Sequence, residues 1–169
     1  MATEKRTIFS PELAARFDRL VTLYPVKRSA LVPMLLYSQD EVGYISPEVI
    51  VELADRLDIR TNDVESVLSY YSMLRTKPVG KYNVQVCTNI SCMLRNGYGI
   101  LEHCKKRLGI GHKEVTPDGL FSLEEVECIG ACCWAPAVQV NYDFYDDLTV
   151  EKMDQVLDDY QAGRGKVTV

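Results

Sequence analysis

The sequence predicts an α+β protein, a helical bundle followed by a small α/β sandwich. Three observations carry this. Apolar residues recur at helical spacing through roughly the first 75 residues. After Thr76-Lys77-Pro78-Val79-Gly80 the pattern changes to the alternation of a strand, at Tyr82-Asn83-Val84-Gln85-Val86. Two cysteine pairs then follow strand-like runs, Cys87 with Cys92 and Cys128 with Cys132. The expected division is a helical lobe over residues 1–78 and a cysteine-bearing domain over 79–169.

The helical elements follow in order. Ser10-Pro11-Glu12 is an N-cap with Pro at the first helical position, and Leu13, Phe17, Leu20 and Val21 form its stripe. A second helix is expected from near Ser29 to about Gln39, where Pro33 is tolerable only because it is close to the start. Gly43 breaks the pattern. Ser46-Pro47-Glu48 repeats the cap, ahead of Ile50, Leu53, Ala54 and Leu57. Asn62 with Glu65 resembles a capping box, and Val64, Val67, Leu68, Tyr71 and Leu74 form the stripe behind it.

In the second half a strand ends at Cys87. Met93 to Leu108 reads as one helix with Leu94, Tyr98, Leu101, Cys104 and Leu108 on one face, weakened by Gly97 and Gly99. Phe121 to Glu127 reads as a strand that delivers Cys128. Ala137 to Asn141 is another, and Asn141-Tyr142-Asp143 turns into a short strand around Phe144-Tyr145. Thr149 caps a final helix carrying Val150, Met153, Val156, Leu157 and Tyr160, stopped near Gly163. The order β-α-β-β-α implies helices packed on a sheet.

Composition excludes several classes. The 169 residues carry a net charge of −5 with no long like-charge run, which argues against nucleic-acid binding. Lys105-Lys106-Arg107 falls in the last turn of a helix, where it complements the dipole. No segment approaches the ~20 apolar residues of a membrane span. Met1 to Arg6 is not followed by an apolar run, so no secretory signal is expected. A reducing cytoplasm then makes six cysteines free thiols or metal ligands rather than disulfides.

The cysteine spacings are Cys-x4-Cys and Cys-x3-Cys, with residues 93–127 between the pairs. Cys-x2-Cys is absent, and His103 and His112 form no spaced ligand pair, so the usual zinc patterns do not fit. Arg95 stands where a plant-type ferredoxin would carry its third cysteine. Two thiolate pairs on strand-end loops suit a [2Fe–2S] rhomb, with a structural zinc site and unliganded core thiols as the competing readings. Thr88, Asn89, Ser91 and backbone N–H groups are candidate donors to sulfur, and Gly130 lets backbone approach the centre. Cys104 sits on an apolar stripe and reads as a core residue. Cys133 adjoins Cys132, and spacing leaves the fourth ligand open between them; in an extended segment only one of the two would face the centre.

Three stretches go further. Cys87-Thr88-Asn89-Ile90-Ser91-Cys92, Glu127-Cys128-Ile129-Gly130-Ala131-Cys132 and Ala135-Pro136-Ala137-Val138-Gln139-Val140-Asn141 resemble the thioredoxin-like [2Fe–2S] subunit of NADH:quinone oxidoreductase (respiratory complex I), known as the E subunit in bacteria and the 24 kDa subunit in mitochondria. Thr116-Pro117-Asp118-Gly119, Gln39, Gly43-Tyr44-Ile45 and Ser69-Tyr70-Tyr71 fit the same pattern. The resemblance implies a thioredoxin-like fold for the second domain. It implies Cys87, Cys92, Cys128 and Cys132 as cluster ligands, which leaves Cys133 extra.

The resemblance also implies a partner subunit holding FMN and the NADH site, further subunits of the complex, and a peripheral place on the cytoplasmic face of the inner membrane. The same subunit type occurs in soluble NAD-linked hydrogenases and formate dehydrogenases. The chain itself has no nucleotide motif: Gly109-Ile110-Gly111 lacks the third glycine of a dinucleotide fingerprint, and Gly80-Lys81-Tyr82 lacks the Walker Ser/Thr. It is expected to carry electrons beside a flavin-bearing subunit, with Tyr70 and Trp134 as interface candidates, Tyr44 beside them, and Tyr71 better read as core. Glu124, Glu125 and Glu127 before the second loop predict a low-potential cluster.

Overall fold

The computed structural model describes residues 7–165; the expectation about Met1 to Arg6 lies outside the described residues. The chain divides between Pro78 and Val79 into two compact units.

The first unit is all helical, with α1 (Pro11–Thr22), α2 (Leu31–Val42), α3 (Pro47–Leu57) and α4 (Thr61–Tyr70). Ser10 and Ser46 cap α1 and α3 through their side chains, each ahead of a Pro at the first helical position. The second helix starts later than expected, because a 3-10 turn takes up Lys27–Ala30. Pro33 therefore lies within the first turn of α2, where its missing N–H costs no intrahelical bond. Gly43, at φ +92°, terminates it.

Two expectations about α4 are corrected. Asn62 and Glu65 form no capping box; the Asp63 carboxylate accepts from the Arg60 N–H at 3.3 Å, so the helix begins before Asn62. It also ends at Tyr70, so Tyr71 and Leu74 reach the core from the following turn rather than from the helix. That turn is held by Gln39, whose amide donates to the Met73 carbonyl at 3.0 Å and accepts from the Arg75 N–H at 2.6 Å. The core centres on Phe17, Met34, Leu35, Leu53 and Val64, all fully buried.

The second unit is a five-stranded sheet with helices against it. Its elements are β1 (Tyr82–Cys87), α5 (Ile90–Leu94), α6 (Gly97–Leu108), β2 (Glu114–Val115), β3 (Phe121–Val126), β4 (Val138–Val140), β5 (Asp143–Tyr145) and α7 (Val150–Gln161). The sheet order is β2-β3-β1-β4-β5. β1 and β3 run parallel with Cys87 opposite Val126, and every other pairing is antiparallel. Val84, Val86, Leu123, Val138 and Val140 face a core shared with Ile100, Leu101, Cys104, Met153 and Leu157. On alternate positions Asn83, Ser122, Gln85 and Glu124 join in hydrogen bonds.

The single helix expected over Met93 to Leu108 is two helices. Asn96 takes a left-handed conformation at φ +71° between α5 and α6, and this resets the helical phase. Leu94 and Tyr98 consequently face outward, while Gly97, Ile100, Leu101 and Cys104 are buried. The two-residue β2, unforeseen in the sequence, is too short to show an alternation.

Candidate metal centre

The two cysteine loops meet because of the sheet. β1 and β3 are parallel neighbours and end level with each other, so the chain leaving Cys87 and the chain leaving Val126 emerge side by side. Cys87 is the last residue of β1. Cys92 lies within α5, not in a loop, because Asn89 caps that helix early by accepting from the Ile90 N–H at 2.6 Å. Cys128 lies in the segment after β3, and Cys132 opens a 3-10 turn over Cys132–Trp134.

Cys87 and Cys92 are buried with Ala135 and Ala137, and Val126, Ile129 and Ala131 pack around them. Cys128 and Cys132 are exposed, with their Sγ atoms 3.9 Å apart. Two contacts organise the second loop from within. Cys87 Sγ donates to the Glu127 carbonyl oxygen at 3.7 Å, and the Gly130 N–H donates to Cys128 Sγ at 3.4 Å. Gly130 holds φ +85°. The site therefore has an apolar floor carrying one thiol pair and an open rim carrying the other.

One thiol of each pair, Cys92 and Cys132, is pushed above the ordinary thiol pKa. Burial, then the Cys87 thiol beside it, pushes the Cys92 thiol up to about 11. The Cys128 thiol, by hydrogen bond and charge, pushes Cys132 upward, with Cys87 and Cys133 adding to it. Thiolates crowded this way repel, and a metal centre is what relieves them, since a coordinating thiol loses its proton outright. Among the described residues no three His, Cys, Asp or Glu side chains are gathered closely enough for one metal ion. All six cysteines are free. A soft donor set disposed as two pairs fits an iron–sulfur centre.

The surroundings correct the donor assignment. The Thr88 hydroxyl donates to Glu125 Oε1 at 3.0 Å, so its proton is not available to sulfur as expected; the Asn89 side-chain oxygen accepts from the Ile90 N–H. The donor in place is the Gly130 backbone. Of the acidic stretch, Glu124 accepts from Asn83 and Gln85, Glu125 accepts from Thr88, and Glu127 is exposed. Cys104 is fully buried in the main core, as its stripe suggested. Cys132 and Cys133 belong to a 3-10 turn rather than an extended segment, so they do not point to opposite sides, and both are exposed.

Sequence reasoning missed Gly97. A Cβ there would stand 2.8 Å from the Cys92 carbonyl oxygen and 2.9 Å from that of Cys87. The glycine thus seats the start of α6 directly on the cysteine-bearing backbone. Its signal was present, a glycine soon after a ligand pair, but it read only as a poor helix former.

Among the described residues no helix is long and apolar enough to cross a membrane. Known proteins are similar over most of the chain. A Mycobacterium bovis protein named as the E subunit of NADH-quinone oxidoreductase is 37% identical over 162 residues, covering 94% of this chain and 64% of that protein. The chain thus spans just under two-thirds of the length of that relative. A Rickettsia felis protein of the same name is 43% identical over 146 residues, covering 85% of this chain and 87% of that one. An NAD+-reducing [NiFe]-hydrogenase chain in its air-oxidized state shares the fold, with a TM-score of 0.70 at 16% identity over 79% of this chain and 23% of that chain. The family model described as thioredoxin-like [2Fe-2S] ferredoxin matches residues 17–161. The iron–sulfur reading therefore prevails over zinc and over unliganded thiols: the chain belongs to the thioredoxin-like [2Fe–2S] ferredoxin family, and its cofactor is a [2Fe–2S] cluster.

Proposed function

We propose that this chain is the [2Fe–2S] electron-transfer subunit of an NADH:quinone oxidoreductase, working beside a partner subunit that holds FMN and the NADH site. The observation that carries it is the convergence of two cysteine loops at the shared end of β1 and β3. Relatives at 37% and 43% identity, both named for the E subunit of that enzyme, support the choice of complex. Cys87, Cys92, Cys128 and Cys132 hold the cluster, which supplies a one-electron couple when bound.

The chain's own residues have three tasks in this reading. Ala135, Ala137 and Ile129 exclude water from the inner pair. Gly130 directs its N–H at Cys128 and orients that side chain. Ile90, Met93 and Leu94 on α5, with Trp134 on the 3-10 turn, leave apolar surface around the exposed pair, which suits an interface that brings a flavin close. The helical unit before Pro78 offers Tyr70, 81% exposed, as a second anchor. Tyr71 and Tyr44 are partly buried, and Tyr71 packs against the helical core. In this reading the complex sits peripherally, on the cytoplasmic face of the inner membrane.

The test is isolation of the chain from its native host with whatever it binds. Two irons and two labile sulfides per chain, an EPR signal on reduction, and co-purification of a flavin subunit together with membrane subunits are expected. Co-purification with a soluble hydrogenase or formate dehydrogenase would replace the complex while keeping the cluster. A colourless zinc protein would end the electron-transfer reading.

A further inference from the structure

Five thiols, not four, surround the two loops, and the fifth stands on the exposed side. We propose that Cys133 is a second competent ligand for the iron position assigned to Cys132, so that the outer half of the site exchanges ligands without losing its cluster. The inference rests on the four-cysteine site proposed above.

Spacing supports it first. Cys128 with Cys133 is Cys-x4-Cys, the spacing of the inner pair Cys87 and Cys92. The second loop therefore contains both the x3 and the x4 arrangement, starting from the same residue. Local structure supports it next. Cys132 and Cys133 occupy one 3-10 turn, where neighbours diverge by about a third of a turn instead of the half turn of a strand. Both thiols are exposed as a result.

The loop can also make the change. Its far end is fixed, because Trp134 accepts from the Asp147 N–H at 2.7 Å and Pro136 accepts from the Leu148 N–H at 3.2 Å. Its near end is fixed to the sheet, where the Val126 carbonyl accepts from the Thr88 N–H at 3.1 Å. Between those anchors the segment carries the Gly130 N–H to Cys128 and Trp134 N–H to Ala131 hydrogen bonds and the Cys128–Cys132 thiol contact, and the last of these is given up whenever either thiol binds iron. A Cβ built on Gly130 meets nothing within 4 Å, so the space beside the loop at that residue is open. The inner pair has no such option: it is buried, and no other cysteine adjoins it.

The exchange is balanced and not a redox step. The Cys133 thiol releases its proton to solvent and binds as thiolate; the Cys132 thiolate leaves and takes up a proton.

Cluster content, visible absorption and EPR of four variants of the full chain test this. Cys133→Ala is expected to keep a full cluster. Cys132→Ala is expected to keep at least half the wild-type iron and sulfide, with an all-thiolate spectrum and altered g-values. Cys132→Ala/Cys133→Ala is expected to lose the cluster, as is Cys92→Ala, which has no neighbouring thiol. Circular dichroism confirms folding of each. Loss of the cluster in folded Cys132→Ala, or its retention in the double variant, overturns the proposal. Retention in Cys92→Ala, or loss in Cys133→Ala alone, overturns the four-cysteine assignment itself.

Discussion

Gly97 lies so close to Cys92 that a single added carbon would stand 2.8 Å from the Cys92 carbonyl oxygen. In an ordinary helix, Gly→Ala gains about 1 kcal/mol. Here the neighbours are backbone atoms of both inner ligand residues, which cannot step aside without moving their thiols. Overpacking of this kind costs about 1–3 kcal/mol and should win. Gly97→Ala is expected to lower the melting temperature and to bind less iron than wild type. A variant with higher stability and a full cluster would show that the contact relaxes freely.

Cys104 predicts a pH dependence separate from the cluster. Burial, then the charge of Asp154, pushes its thiol up to about 12 from an ordinary value of 9.0. The folded protein therefore favours the neutral thiol, and the unfolded chain ionises first. Its contribution is fully present below pH 9 and is lost as pH rises toward 12, at up to about 1.4 kcal/mol per pH unit. Tyr160, raised by burial and by hydrogen bonds from Tyr145 and to Asp143, adds a loss of the same sign above its own ordinary value of 10.0. Denaturant melts between pH 8 and 10.5 should show a shallower decline in Cys104→Ala than in wild type. Parallel curves would contradict the assignment.

Much of this architecture was legible because it is written in local chemistry. The caps at Ser10, Ser46 and Thr149, the strands β1 and β3, and the two cysteine loops each depend on residues within a few positions of one another. What escaped depends on partners far along the chain or on one residue's backbone. The break at Asn96 is a left-handed conformation that a helix-compatible residue conceals. Gln39 looks like a surface amide until Met73 and Arg75 come to it. Thr88 looks like a donor to sulfur until β3 sets Glu125 beside it. At the site, the residue types and their spacings could be read, but not the parallel pairing of β1 and β3 that brings them together, nor Gly97, whose meaning lies in a distance.

Trp134 should matter for assembly and not for folding. Its side chain is 63% exposed, whereas its carbonyl holds the Asp147 N–H, a bond that any residue there retains. Trp134→Ala is therefore expected to change fold stability by less than about 0.5 kcal/mol. If it anchors the flavin-bearing partner, the same change costs about 2 kcal/mol of association, roughly thirtyfold in affinity. Titration of the reconstituted pair separates the two effects; unchanged affinity removes Trp134 from the interface.

The acidic stretch should hold the potential down through Glu125. Its carboxylate accepts from Thr88, the residue that follows Cys87, so its charge is fixed next to the inner ligand loop. Glu124 is turned to Asn83 and Gln85 on the sheet, one register position earlier. Reduction adds negative charge to an already anionic centre, and a nearby carboxylate opposes it. Glu125→Gln keeps an oxygen for the Thr88 hydroxyl and leaves the Glu125 N–H to His112 bond in the main chain untouched. Only the charge is removed, so the midpoint should rise. With partial exposure and an effective dielectric near 20, the rise is on the order of tens of millivolts and shrinks as salt is added. EPR-monitored titration of wild type and variant measures it. A wild-type midpoint well above zero contradicts the low-potential assignment, and an unchanged midpoint in Glu125→Gln shows that burial and the Gly130 N–H set the potential without help from this carboxylate.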